Sequence, residues 1–214
     1  MDIPFIDRLA IQLTNGLPGR KAHIRMAPFP GRFDELPTHD TKNAAVMILI
    51  MGESDQLYFP LIKRNPINTR DPHKGQVSLP GGRQEASDYN LLFTALRETQ
   101  EEIGIPADQV KIVGALSPLF IPVSNNLVHP FIGWYEGHGS FIPQVTEVYD
   151  IIPCSLAQLS IGNLRAHQVI NTSYATDLKV PGFNLNDHWI WGATAMIIEE
   201  FNEVLEQVNL LGSK

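Results

Sequence analysis

Apolar side chains recur at helical spacing close to the N-terminus: Ile3, Ile6, Leu9, Ala10 and Leu13 fall on one face of residues 2–15, and Asn15-Gly16 supplies a stop. This pattern predicts a short amphipathic helix. It breaks between Gly16 and Asp40, where Pro18, Gly19, Pro28, Pro30, Gly31 and Pro37 predict an extended arm lying on the surface. A continuous apolar run over residues 44–51 (AAVMILIM) has strand length, and residues 57–64 form a second strand. The turn residues Gly52-Glu53-Ser54-Asp55 lie between the two, so a hairpin is expected. A short strand over residues 76–79 leads into Pro80-Gly81-Gly82. Ser87 or Asp88 can cap a helix running to Ile103 with Leu91, Leu92, Ala95, Leu96, Thr99 and Ile103 on its core face, and Gly104 with Pro106 beyond it reads as a left-handed stop. Further strands are expected over 110–116, 128–135 and 145–151, and a last helix over 192–208. Strands on both sides of one internal helix, with another helix at the end, predict an α/β (α+β) fold: a mixed sheet covered by helices on both faces. The domain is expected to span residues 44–214, with the helix and arm of residues 1–43 packed on it.

Composition narrows the class. With 214 residues, 43% of them hydrophobic and 18% charged, the chain can bury a core, and disorder as the dominant state is excluded. No stretch reaches the ~18 apolar residues of a membrane span, and the start MDIPFIDRLA has neither the basic nor the apolar segment of a signal peptide, so a soluble cytoplasmic protein is expected. The single cysteine, Cys154, has no partner for a disulfide or a zinc knuckle and reads as a small half-buried side chain. The seven histidines show no pair at helical ligand spacing, which argues against zinc, and His129 reads as a core histidine. A net charge of -7 argues against nucleic-acid polymers and membrane surfaces as partners. That charge is unevenly spread. Residues 61–83 carry Lys63, Arg64, Arg70, Lys74 and Arg83 against Asp71 alone, whereas residues 84–102 are acidic. The acidic C-terminal group Asp187, Glu199, Glu200, Glu203 and Glu206 reads as the solvated side of a helix.

The candidate chemistry lies in the predicted internal helix. Glu98, Glu101 and Glu102 stand at i, i+3 and i+4 and share one face at one turn's separation. Carboxylates crowded in a last turn repel one another and oppose the helix dipole. Beside a packed surface they match what a hard divalent cation such as Mg²⁺ or Mn²⁺ requires, oxygen donors with room for water and phosphate oxygens. The plain alternative is a solvated acidic helix end. Gly81-Gly82, just ahead of the helix, lets the backbone pass close to the carboxylates and offer a carbonyl.

Residues 81–105 resemble the signature of the Nudix hydrolases: in words, Gly, five residues, Glu, seven residues, Arg-Glu, an aliphatic, any residue, Glu-Glu, any residue, Gly, aliphatic. Arg97-Glu98, Glu101-Glu102, Gly104 and Ile105 match it. The first half departs: Asp88 stands where the signature has Glu, eight residues separate it from Arg97, and Thr99 replaces the aliphatic. The resemblance implies a Nudix-type mixed β-sheet sandwiched between α-helices, and hydrolysis of a nucleoside diphosphate linked to another group with Mg²⁺ or Mn²⁺ as cofactor. It implies Glu98 and Glu102 as principal metal ligands, Glu101 as a further ligand or the base that activates water, the Gly82 carbonyl in the metal shell, and Arg97 orienting a box glutamate.

The basic stretch resembles the second motif of the coenzyme A pyrophosphatase branch, with Arg64, Arg70, Gly75 and Pro80-Gly81-Gly82 corresponding, although one extra residue falls in each of two spacings and Asn65 and Leu79 replace Ser and Phe. On this likeness Arg64, Arg70, Lys74 and Arg83 are expected to bind substrate phosphates. The substrate would be coenzyme A or acyl-coenzyme A, cleaved to 3′,5′-ADP and 4′-phosphopantetheine. ADP-ribose, NADH or nucleoside triphosphates are the competing substrates, and a non-catalytic nucleotide-binding module is the competing class. Glu147 lies where many Nudix proteins carry a late acidic residue serving the metal or the catalytic water. The expected partner is a small nucleotide, with a homodimer left open.

Overall fold

The apolar run of residues 44–51 is unbroken because it becomes a strand buried on both faces. The computed structural model describes residues 4–53, 56–69, 73–137, 140–160, 164–171 and 176–212. In chain order its elements are α1 (Phe5–Thr14), α2 (Arg20–His23), β1 (Lys42–Ile50), β2 (Tyr58–Arg64), β3 (Val77–Ser78), β4 (Gly81–Arg83), α3 (Leu91–Ile103), β5 (Val110–Ala115), β6 (Leu119–Ile121), β7 (Asn126–Tyr135), β8 (Val148–Ser155), α4 (Leu156–Ser160), β9 (Arg165–Ile170), β10 (Leu178–Leu185), β11 (His188–Trp191) and α5 (Gly192–Gly212). The central sheet has the order β4-β1-β7-β5, with β6 also paired to β7, and it is mixed: β1 runs parallel to β7 and antiparallel to β4. One face, through Ala45, Met47 and Leu49, packs with Ala95 and Ile103 of α3. The other, through Ala44, Ile48 and Ile50, packs with Leu9 and Leu13 of α1 and Phe201 and Val204 of α5. The expected architecture of a mixed sheet between helices is therefore present.

The expected hairpin of the first two strands is not formed. A single bridge, Met51 with Tyr58, joins them, after which β2 leaves to pair with β3 and β8 in a second sheet. The edges decide this: β1 has β4 and β7 on its two sides, so no side remains for β2. The strand expected over 145–151 begins later, at Val148, because residues 145–147 form a turn. A third sheet, β11-β10-β9, lies in a region left without strands in the sequence reading. Its hairpin turn is Asn186-Asp187, with φ of 48° and 65°, the left-handed pair that a two-residue turn demands and that Asn and Asp tolerate.

The arm of residues 16–40 also differs from its expected extended form. Residues 20–26 coil into α2 and a 3-10 turn, and Ala22, His23, Met26 and Arg32 are buried. The cause lies on α5, where Glu199 and Glu200, read as solvated, are fully buried. Glu200 accepts the N–H groups of Gly19 (3.0 Å) and Ser117 (3.3 Å) and lies 2.8 Å from His23 Nε2. Glu199 accepts Arg25 Nε at 2.7 Å and Arg165 Nε at 3.0 Å. Burial pushes the Glu200 carboxyl up, but His23 and the amides of Ser117 and Gly19 outweigh it and hold the group below its usual range.

Candidate functional site

Two junctions fix the α3 frame. Asn90, not Ser87 or Asp88, is the N-cap, its Oδ1 accepting the N–H of Phe93 at 2.8 Å. At the other end Gly104, with φ of 78°, returns its N–H to the Gln100 carbonyl at 3.0 Å. Asp88 is thereby free for another task. Its buried carboxylate takes Arg97 Nε at 2.9 Å and Nη2 at 3.0 Å, Thr94 Oγ1 at 2.9 Å and the Glu85 N–H at 3.0 Å. The Arg97 guanidinium leads these in holding the Asp88 pKa down at about 2, against burial that raises it. The loop of residues 84–90 absorbs the extra residue of the loosened signature, and the acid still reaches its arginine. Sequence reasoning offered Asp88 only as a possible cap, because a contact across nine residues follows no helical period.

Arg97 is held from behind by Asp88 and faces the acidic cluster in front. Nη2 lies 3.0 Å from Glu98 and Nη1 lies 3.0 Å from Glu101, one turn on. Glu98 is half-buried over β4: a side-chain carbon added at Gly82 would run into its carboxylate and push it from its place, so glycine keeps Glu98 where it lies. Gly81, at φ of 149°, is held to glycine more firmly, by the backbone of β1, where an added carbon would come within 2.6 Å of Val46 Cα. Its N–H donates to Glu102 Oε2 at 2.8 Å. Glu102 is the most enclosed of the three, buried with Arg64 Nη1 at 3.7 Å from its other oxygen. Burial pushes its pKa up to about 8 against the Gly81 N–H and Arg64. Burial also raises Glu98, offset in part by Arg97. Glu101, by contrast, keeps about half of its side chain in solvent, at 55% exposure.

The structure therefore brings together Gly82, Arg97, Glu98, Glu101, Glu102 and Arg64. Glu147 is exposed in the turn before β8, and its charge reaches both Glu98 and Glu102. Arg83 points elsewhere: Nε donates to Asn126 Oδ1 at 3.1 Å, while its carbonyl accepts from Arg97 at 3.3 Å. Lys74 is exposed, and Arg70 lies outside the described residues. Lys63 sits over the Tyr149 ring at 5.6 Å. His129 is half-buried, with an Nε2 that has no hydrogen-bond partner among the described residues, and burial lowers its pKa. Cys154 is buried in the core, where desolvation pushes its thiol up to about 12, so it is inert at neutral pH.

Two observations bear on whether a divalent cation fits. The donors are of the right kind, carboxylate and backbone oxygens, and Gly82 leaves a cradle against Glu98 that any side chain would fill. Glu98 and Glu101, however, each direct an oxygen to Arg97. Among the described residues no three His, Cys, Asp or Glu side chains gather in a group that could hold a metal ion.

Residues 41–161 match the NUDIX domain family, more than half of the chain and the part that carries β1, α3 and the acidic cluster. The chain belongs to the Nudix hydrolase family. It is therefore an enzyme of the class that acts on pyrophosphate bonds, and enzymes of this family generally use divalent metal ions. The chain is 32% identical over 190 residues to an uncharacterised Nudix hydrolase, NudL, of Yersinia enterocolitica, covering 86% of this chain and 88% of the relative. It is 29% identical over 184 residues to a NudL of Photorhabdus laumondii, covering 86% and 93%. Among solved structures, a MutT/nudix family protein from Enterococcus faecalis aligns with a TM-score of 0.50 at 20% identity, over 80% of this chain and 65% of that one, a likeness of fold. As for the membrane, no helix among the described residues is long and apolar enough to cross one.

Proposed function

We propose that this Nudix hydrolase cleaves the diphosphate of coenzyme A or acyl-coenzyme A, giving 3′,5′-ADP and 4′-phosphopantetheine, with Mg²⁺ or Mn²⁺ as cofactor. The observation that carries the hydrolytic site is the pair Glu98 and Glu102, two carboxylates enclosed beside a Gly-Gly strand with raised proton affinity. Buried acids of one sign are stable only with a proton or a cation.

In this reading Glu98, Glu102 and the Gly82 carbonyl would hold the cation, which when bound would neutralise charge at the diphosphate and lower the pKa of water. Glu101, the solvent-reaching carboxylate, serves as a further ligand or receives the proton of the attacking water. Arg97, backed by Asp88, sets the directions of Glu98 and Glu101. Arg64 borders Glu102 and meets a substrate phosphate, and Arg70 and Lys74 are assigned to the remaining phosphates from the likeness of the basic stretch to the coenzyme A branch, whereas Arg83, bonded to Asn126, is not.

A ranking of kcat/KM over coenzyme A, its 3′-dephospho form, ADP-ribose, NADH and nucleoside triphosphates tests the substrate. Coenzyme A is expected to lead, with loss of the 3′-phosphate lowering kcat/KM. Indifference to that phosphate, or a lead for ADP-ribose or NADH, would replace the assignment and leave the hydrolytic site in place.

A further inference from the structure

Asn65, in the loop that leaves β2, has no role in the assignments above, yet its backbone and side-chain amide groups are all committed. Its N–H donates to the Glu147 carbonyl at 2.7 Å and its Nδ2 to the Val145 carbonyl at 2.9 Å. Its Oδ1 accepts the Ile67 N–H at 3.0 Å and its carbonyl the Asn68 N–H at 3.2 Å. The second pair closes its own loop, as Asn does before proline in the sequence Asn65-Pro66. The first pair grips a different loop, the turn of residues 145–147, on both sides of Thr146.

The far side of that turn is tied to the box helix. Gln144 donates its N–H to the Glu102 carbonyl at 3.1 Å, and Ile142 donates to the Ile103 carbonyl at 3.0 Å. Within the turn, the Gln144 carbonyl accepts the N–H groups of Glu147 at 2.9 Å and Val148 at 2.8 Å. Glu147 is thus suspended between the end of α3 and the residue that follows Arg64. A third carboxylate placed near Glu98 and Glu102 is repelled by both, so its position must be imposed by the backbone that carries it. Burial cannot be what the grip serves, because Ile67 and Val145, the apolar side chains of the two loops, are 80% and 71% exposed.

We propose that Asn65 is a positioning residue: it fixes the 144–147 turn against the box helix and so presents the Glu147 carboxylate to the cation site of Glu98 and Glu102. The proposal rests on the function assigned above, in which those two carboxylates hold a divalent cation.

The test is a double-mutant cycle on Asn65→Ala and Glu147→Gln, read in two ways: Mn²⁺ affinity by electron paramagnetic resonance, and kcat with coenzyme A and Mg²⁺. Each single variant should weaken Mn²⁺ binding or kcat by about tenfold, the range found when a residue supporting a metal site is removed, with KM moved less. The double variant should be no worse than Glu147→Gln alone. Effects that multiply would make Asn65 independent of Glu147 and overturn the proposal, as would wild-type values for either single variant. Should Asn65→Ala fail to fold, Asn65→Asp keeps the acceptor for Ile67 and removes the donor to Val145. It should reproduce the loss, and wild-type Mn²⁺ affinity in it would overturn the proposal. Glu98→Gln distinguishes the two layers. If it too binds Mn²⁺ normally, the cation site itself fails and the proposal falls with it; if it is impaired while Asn65→Ala is not, only the positioning role falls.

Discussion

Asp88 and Arg97 form the contact on which the acidic cluster leans, and its protonation can be followed directly. The Asp88 carboxyl, held at about 2 by Arg97, Thr94 and the Glu85 amide, ordinarily titrates near 3.8. A carboxylate whose pKa is depressed in the folded state binds its proton more readily when unfolded. Its stabilisation is therefore complete above about pH 4 and is lost as the pH falls through about 2. Asp88→Asn should lower Tm at neutral pH, and the gap from wild type should narrow between pH 4 and pH 2. A gap constant over that range would show that the Arg97 contact contributes no charge-dependent stability. The same substitution should impair turnover, since Arg97 without its rear anchor no longer sets the directions of Glu98 and Glu101.

The elements carry a second structural message, at the end of the chain farthest from the box. Glu199 and Glu200 on α5 turn residues 19–26 of the arm from a surface strap into a packed segment, with His23, Arg25 and Gly19 as the points of attachment. Removing a buried acceptor and leaving its donors unsatisfied typically costs about 1–3 kcal/mol. Glu200→Ala should therefore lower the unfolding free energy by about that amount in a urea titration. A change well below about 1 kcal/mol would mean that solvent reaches the donors left behind. The elements also mark where the sequence was legible. β1, β2, α3, β7 and α5 were readable because long apolar runs and strong caps define them locally. The pairing of β1 and β2 was not, because it depends on which strands occupy their edges, a long-range fact. The buried state of Glu199 and Glu200 was hidden for the same reason: their partners on the arm lie 174–181 residues away. In the candidate site, Glu98, Glu101 and Glu102 were legible from helical spacing, Gly82 from the demand for a bare backbone, and Arg97 only from the resemblance of the box. Asp88 and Asn65 act through loop geometry, which leaves no period in the sequence.

For the whole molecule, the net charge of -7 is a sum of unlike parts. Some of the acid is spent internally, Glu199 and Glu200 on the N-terminal arm and Asp88 on Arg97, and the group on the Gly-Gly side of α3 is the one proposed to meet a cation. The basic stretch divides as well: Arg64 lies at the site, Arg83 is tied to β7, and Lys63 is stacked on Tyr149. The central claim is that Glu98 and Glu102 make this Nudix hydrolase a metal-dependent pyrophosphatase. The measurement that tests it most directly is the rate of 3′,5′-ADP release from coenzyme A by wild type, Glu98→Gln and Glu102→Gln, each with Mg²⁺ and with the metal chelated. The account predicts release by the wild type only with Mg²⁺, and a kcat at least ~100-fold lower in both variants with their fold intact. Release that persists without metal, or variants that turn over at the wild-type rate, would contradict it.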